Sequence, residues 1–161
     1  MPINVGDRLP EATFTTMSAE GPKPVTTAEV FGGKKVALFA VPGAFTPTCS
    51  RQHLPGYVQN YDELKSKGFH TVACTAVNDI FVLSAWSKAG GADGKILMLA
   101  DGSADFARKI GLEVDLSARG LGVRSRRYSM IVEDGVVKSL NVEEVPSNHD
   151  KSSAALLCTL A

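Results

Sequence analysis

The sequence is short of the features that mark most specialised protein classes. Among its 161 residues there are only 3 Cys and 1 Trp, and aromatic residues make up 7%. Three thiols are too few for a disulfide framework, and no Cys-x-x-Cys pair or Cys/His ligand spacing is present. Zinc is therefore disfavoured, and free thiols in a reducing compartment are expected, with a cytoplasmic location. Charge of either sign is not in excess, since 17 Lys and Arg balance 17 Asp and Glu. A chain that coats nucleic acid or an anionic membrane is usually basic, so neither partner is expected. The longest strongly apolar run, residues 36–41, falls far short of the ~20 residues that span a bilayer. The opening residues MPINVGDRLPEATF hold no apolar stretch and are neither Arg-rich nor free of acids. No signal or transit peptide is expected there.

What is present is an ordinary globular composition: 44% apolar and 21% charged residues. Such a chain builds a real core and folds without staples, and its length predicts one domain over residues 1–161. Residues 34–41, KKVALFAV, form a short continuous apolar run stopped by Pro42-Gly43. This is the pattern of a strand buried on both faces. Beyond Cys49, the residues Leu54, Val58, Tyr61 and Leu64 recur with helical spacing, and Gly68 ends that helix. Pro55 lies inside the same stretch and predicts a kink.

Residues 69–77 and 96–99 read as further strands, Asn78-Asp79 as a helix cap, and residues 80–91 as a helix. A short helix is expected at residues 105–110 and a closing one at 152–161. Residues 18–27, rich in Pro and Gly, read as a loop or hairpin connection, and residues 112–126 as a loop. Asp134-Gly135 between two apolar runs signals a hairpin. Strand–helix alternation, then a hairpin, then a helix describes an α/β fold with a mixed sheet flanked by helices, compatible with a thioredoxin-like architecture.

Cys49 sits where a buried strand gives way to a helix. In open α/β sheets, chemistry gathers beyond the carboxyl ends of the strands. A thiol in a first helical turn faces unpaired N–H groups and the positive end of the helix dipole, and both favour the nucleophilic thiolate. Cys is also a common buried residue, but the Pro, Thr and Ser around Cys49 belong to turns and caps. Thr46, one turn earlier, is either a helix cap or a hydrogen-bonding partner of the thiolate or substrate, and the two are compatible. Pro42 either shields the sulfur or simply ends the strand. The only dense basic run is Arg124-Ser125-Arg126-Arg127. Most of it reads as a solvated loop, yet an Arg at a strand mouth can project toward the Cys helix.

These residues carry a resemblance. The string VPGAFTPTCS contains Pro42-x-x-x-Thr46-x-x-Cys49 and, with the following HLPGY, resembles the type II (atypical) peroxiredoxins of the plant-like branch. Asn78-Asp79, ADGS at 100–103, GLGVRSRRYSM and the Asp134-Gly135 hairpin are similar to that branch too, so the likeness covers nearly the whole chain. It implies a thioredoxin-like fold and thiol-dependent reduction of hydrogen peroxide and organic hydroperoxides. It also implies Cys49 as the peroxidatic Cys, with Thr46, Pro42 and Arg127 beside it. Arg127 matches the family's invariant Arg, whereas Arg124 and Arg126 do not. A homodimer is implied as well, and no cofactor or metal. The reductant is either glutaredoxin with glutathione or a thioredoxin.

Some type II members carry a resolving Cys before the final helix, where this sequence has none. Cys74 is the candidate resolving residue, although its place inside an apolar strand favours a core role. Cys158 reads as a bystander. His53 is expected on a helix surface, and His70 and His149 have no evident partner. Trp86 and Phe81 fit an apolar helical pattern and read as core or interface. A redox relay that hands oxidation to a partner protein is the rival reading, and repeated turnover with a thiol donor separates the two. A Cys hydrolase is disfavoured because no His or acid is spaced to form a triad.

Overall fold

The computed structural model describes residues 2–144 and 151–160, so His149 lies outside the described residues. A seven-stranded sheet runs in the order β2-β1-β5-β4-β3-β8-β9. Its strands are β1 (Thr13–Ser18), β2 (Gly21–Thr26), β3 (Lys35–Ala40), β4 (Thr71–Ala76), β5 (Leu97–Ala100), β8 (Tyr128–Glu133) and β9 (Val136–Val142). The central β3, β4 and β5 are parallel, and the flanking strands pair antiparallel. The sheet is therefore mixed and flanked by helices, as the alternation of elements predicts.

Alternating side chains divide the core into two layers. Ala37, Phe39, Val72 and Cys74 face one side, where Leu54, Tyr57, Leu83 and Trp86 pack. These last come from α2 (Leu54–Gln59) and α4 (Ile80–Ala89). Val36, Leu38, Ala40 and Ala73 face the other side and pack on Phe14, Phe31 and Phe106. Phe31 ends α1 (Thr27–Phe31), and Phe106 lies in α5 (Asp105–Lys109). Several local signals act as expected. Asp79 caps α4 by accepting from Val82 N at 2.9 Å. The hairpin between β8 and β9 turns on Asp134 and Gly135, with φ of 49° and 77°. A two-residue turn with both φ positive matches the twist of the strands it joins.

Three stretches differ from expectation. Residues 21–26 form a true strand despite Pro22 and Pro24, because β2 is the sheet's edge and its missing N–H groups leave no ladder bond unmade. Residues 112–126 are not loop throughout. They hold a small ladder of β6 (Glu113–Asp115) with β7 (Val123–Ser125) around a 3₁₀ turn, Ser117–Arg119. The long helix after Cys49 is broken at Asn60 into α2 and α3 (Tyr61–Ser66). The chain closes with α6 (Ala154–Leu160).

Pro55 explains the local form of the Cys49 helix. Residues Cys49–His53 make a wide π-helical turn in which Leu54 N–H donates to Cys49 O. A proline ring clashes with the carbonyl four residues back, here that of Arg51, and cannot donate to it. Widening the turn just before Pro55 relieves that clash, so the kink becomes a π-bulge.

Candidate active site

The strand β3 delivers the chain to the site and Pro42 stops it. Gly43 leaves room for its neighbours, since a Cβ there would lie 2.9 Å from Arg124 Nη1 and 3.2 Å from Thr46 Cγ2. Phe45 holds φ at 64° and exposes its ring. Ala44 N–H donates to Asn78 Oδ1 at 3.0 Å, so the turn is pinned to the loop ahead of α4. Cys49 then enters its π turn with no exposed surface. Trp86 Nε1–H donates to Ser50 Oγ at 3.0 Å, which ties α4 to the residue beside the thiol.

Arg127 arrives from a distant part of the chain. Tyr128 is paired with Ala40 in the β3–β8 ladder, so the residue before Tyr128 lies beside the chain just past Ala40. Arg127 is only 2% exposed. Its Nη2 donates to Cys49 Sγ at 2.8 Å and its Nη1 to His53 Nδ1 at 2.8 Å. A guanidinium has no acceptor, so His53 Nδ1 must accept and the ring proton sits on Nε2. That proton is donated to Ser152 O at 3.0 Å. Tyr57 O–H donates to the same carbonyl at 2.9 Å, and burial pushes the Tyr57 phenol far above its ordinary range, which keeps it a donor. Ser152 in turn donates its N–H and its hydroxyl to Glu143 Oε2, at 2.6 and 2.7 Å.

A cavity of about 230 Å³ opens onto this constellation. Pro42, Thr46 and Arg127 line one side, and Leu116, Arg119 and Leu121 from the 3₁₀ segment line the other. The Thr46 hydroxyl donates to Gly43 O at 2.6 Å, and Thr46 O accepts the helical bond from Ser50 N at 3.0 Å. Arg127, which donates to the buried Cys49 sulfur, shares the lining of this one small space with a hydroxyl and apolar side chains. A fixed cation and donor beside the sulfur suits negative charge that develops on a leaving oxygen. Among the described residues no group of three His, Cys, Asp or Glu side chains could hold a metal ion.

The structure thus brings together Cys49, Thr46, Pro42 and Arg127. It corrects the placing of His53, which is not on a helix surface but 1% exposed and bonded to Arg127. One signal was available, because residues 49, 53 and 57 share a helical face with a spacing of four. Arg124 is half-buried, donating to Leu121 O at 2.8 Å and Pro42 O at 3.3 Å, whereas Arg126 is solvated as expected. Leu116 and Leu121 were missed because the segment reads as loop. Cys74 lies mid-strand on β4 between Phe39 and Met98, buried in the same layer as Cys49. Burial pushes its thiol well up, the neighbouring Cys49 adds to this, and Arg127 opposes it. Cys158 on α6 is also buried, and burial raises its thiol too. All three thiols are free. Trp86 is core, while Phe81 is 65% exposed.

Comparison with known proteins places the chain in a family. The family pattern described as Redoxin matches residues 4–157. Peroxiredoxin-2E, chloroplastic, of Arabidopsis thaliana is 48% identical over 98% of this chain and 69% of that protein. Peroxiredoxin-2E-2, chloroplastic, of Oryza sativa is 52% identical over 88% of this chain, which spans 65% of that relative. Among solved structures, reduced Prx3 of Vibrio vulnificus in complex with H2O2 is 49% identical, with a TM-score of 0.93 and 98% of each chain covered. With the mixed sheet, the Pro42-x-x-x-Thr46-x-x-Cys49 turn and this likeness in hand, the chain belongs to the redoxin family and, within it, to the plant-like type II peroxiredoxins, which are thiol-dependent peroxidases.

Proposed function

We propose that this peroxidase reduces hydrogen peroxide and organic hydroperoxides at Cys49 and is recharged by an external thiol. The observation that carries the reading is the Arg127 contact on the Cys49 sulfur beneath a small cavity. The Cys49 thiolate attacks one peroxide oxygen along the O–O axis. A sulfur–oxygen bond forms, the O–O bond breaks, and its electron pair leaves on the second oxygen, which takes up a proton. The products are a Cys49 sulfenic acid and water or an alcohol. Arg127 bears on the developing charge, the Thr46 hydroxyl orients the peroxide, and Pro42 keeps bulk water from the sulfur.

A thiol then attacks the sulfenic acid, releasing water and leaving a mixed disulfide, and a second thiol restores Cys49. We assign the reductant to glutathione with glutaredoxin or to a thioredoxin, because Cys74 is buried mid-strand with its thiol pushed up and is a poor attacking group. Three free thiols fit a reducing compartment, and we propose the cytoplasm, testable by cell fractionation. A homodimer would cover the exposed Phe45 and Phe81, and sedimentation of wild type beside Phe81→Ala tests it.

The deciding assay compares peroxide consumption with glutathione, glutaredoxin plus glutathione, and thioredoxin. Cys49→Ser should abolish turnover in all three while the fold survives. Retained turnover overturns the site, and a single turnover that stops without a partner favours a relay.

A further inference from the structure

We propose that Glu143, remote from the sulfur, is a positioning residue for peroxide reduction: through Ser152 and His53 it holds the Arg127 guanidinium on Cys49. The inference rests on the peroxidase reading of the Cys49 site and adds a part of the chain that this reading does not use. Four buried polar residues form the series, with Glu143 3%, Ser152 0%, His53 1% and Arg127 2% exposed.

Each link constrains the next. Arg127 contacts Cys49 through one arm of a rigid planar fork, so what the other arm meets helps to fix the plane. That arm meets His53 Nδ1, which accepts only while the ring proton stays on Nε2. An acceptor facing Nε2 secures this tautomer, as a carbonyl commonly does for a functional His. The acceptor is Ser152 O. A peptide carbonyl points where its own plane is fixed, and the Ser152 N–H and hydroxyl are both held by Glu143 Oε2. Glu143 is placed by the residue it serves, since its N–H donates to Arg127 O at 2.9 Å. Glu143, just after β9, and Ser152, just before α6, thereby close on the Arg127 cation.

A role confined to satisfying buried groups would make Glu143 matter for stability alone. A positioning role makes it matter for the reaction of sulfur that is already ionised. The test is stopped-flow oxidation of the reduced protein by hydrogen peroxide, followed by Trp86 fluorescence. Rates are expressed per thiolate from the ultraviolet absorbance of the thiolate, and thermal unfolding is recorded for every variant. Glu143→Ala should slow oxidation about tenfold, less than the roughly 10²–10³-fold loss expected for removing an oxyanion donor outright. Glu143→Gln keeps an oxygen for Ser152 and should stay within about twofold of wild type.

His53→Asn sharpens the test. Its Oδ1 replaces Nδ1 as the acceptor for Arg127, and nothing replaces Nε2, so the link to Ser152 is cut. In that background Glu143→Ala should add no further slowing, which is the signature of coupled sites. If Glu143→Ala fails to fold, Ser152→Ala takes its place, with about threefold slowing that also vanishes beside His53→Asn. The proposal is overturned if the Ala variant oxidises at the wild-type rate, if the Gln variant is as slow as the Ala variant, or if the slowing persists beside His53→Asn. A wild-type protein that hydrogen peroxide does not oxidise at Cys49 would instead overturn the peroxidase reading itself.

Discussion

Replacing Arg127 by Ala removes two contacts of 2.8 Å from a side chain that is 2% exposed. The contact on Cys49 Sγ places a full positive charge where water is excluded. Losing a donor that meets developing negative charge costs roughly 2.7–4 kcal/mol in the transition state, or about 10²–10³ in rate. Arg126 is solvated and its Ala variant should stay within about twofold of wild type. Arg124 donates to Pro42 O and Leu121 O, and not to the sulfur, so its loss should loosen the turn and slow oxidation about threefold to fivefold. Arg127→Lys keeps the charge and loses the fork, and should fall between wild type and Ala, at about tenfold. The assay is stopped-flow oxidation read by Trp86, whose indole bonds to Ser50 next to Cys49. Equal effects at all three Arg positions, or a loss below about threefold for Arg127→Ala, would refute the reasoning and leave only a diffuse basic patch.

Four further outcomes are expected. After one equivalent of peroxide and trapping of thiols, mass spectrometry should find oxidised Cys49 without a dominant Cys49–Cys74 or Cys49–Cys158 disulfide. Cys74→Ala should keep turnover with an external thiol while losing about 1 kcal/mol of stability in urea, and lost turnover would make the enzyme a two-Cys peroxidase. Burial pushes the Cys74 and Cys158 thiols up, so timed alkylation at mildly acid pH should label Cys49 first; earlier labelling of either other thiol contradicts the site. Thr26→Ala breaks the capping box in which Thr26 accepts from Glu29 N and Glu29 accepts from Thr26 N, and should cost about 1 kcal/mol of stability without touching peroxidase activity.

Much of this architecture is written locally. Residues 36–41 are apolar throughout, and residues 72–77 nearly so, because both faces of β3 and β4 are covered, and Asp134-Gly135 meets a backbone need that few residue pairs satisfy. Cys49, Thr46 and Pro42 stand within one turn of one another, so a motif can name them. Arg127 is 78 positions from Cys49, and family likeness singles it out among three arginines where spacing could not. His53 hid for the opposite reason. Its polar side chain on a helix suggests solvent, and Ser152, 99 positions on, supplies a carbonyl that helps to make burial tolerable. The β2 strand hid because its prolines break a central strand but not an edge.

The wide turn at Cys49–His53 has a consequence for how this site tolerates change. Each residue of an α-helix advances about 100° around the axis. By taking in one more residue than an α turn would, the π turn sets the thiol back by about one such step relative to α2. Deleting a single residue between Cys49 and Leu54 would restore a regular helix, yet it would swing the sulfur about 100° from Arg127. An insertion would overshoot by the same amount. The distance in sequence from Cys49 to Pro55 is therefore a catalytic parameter in its own right, and substitutions there should be tolerated far better than changes of length.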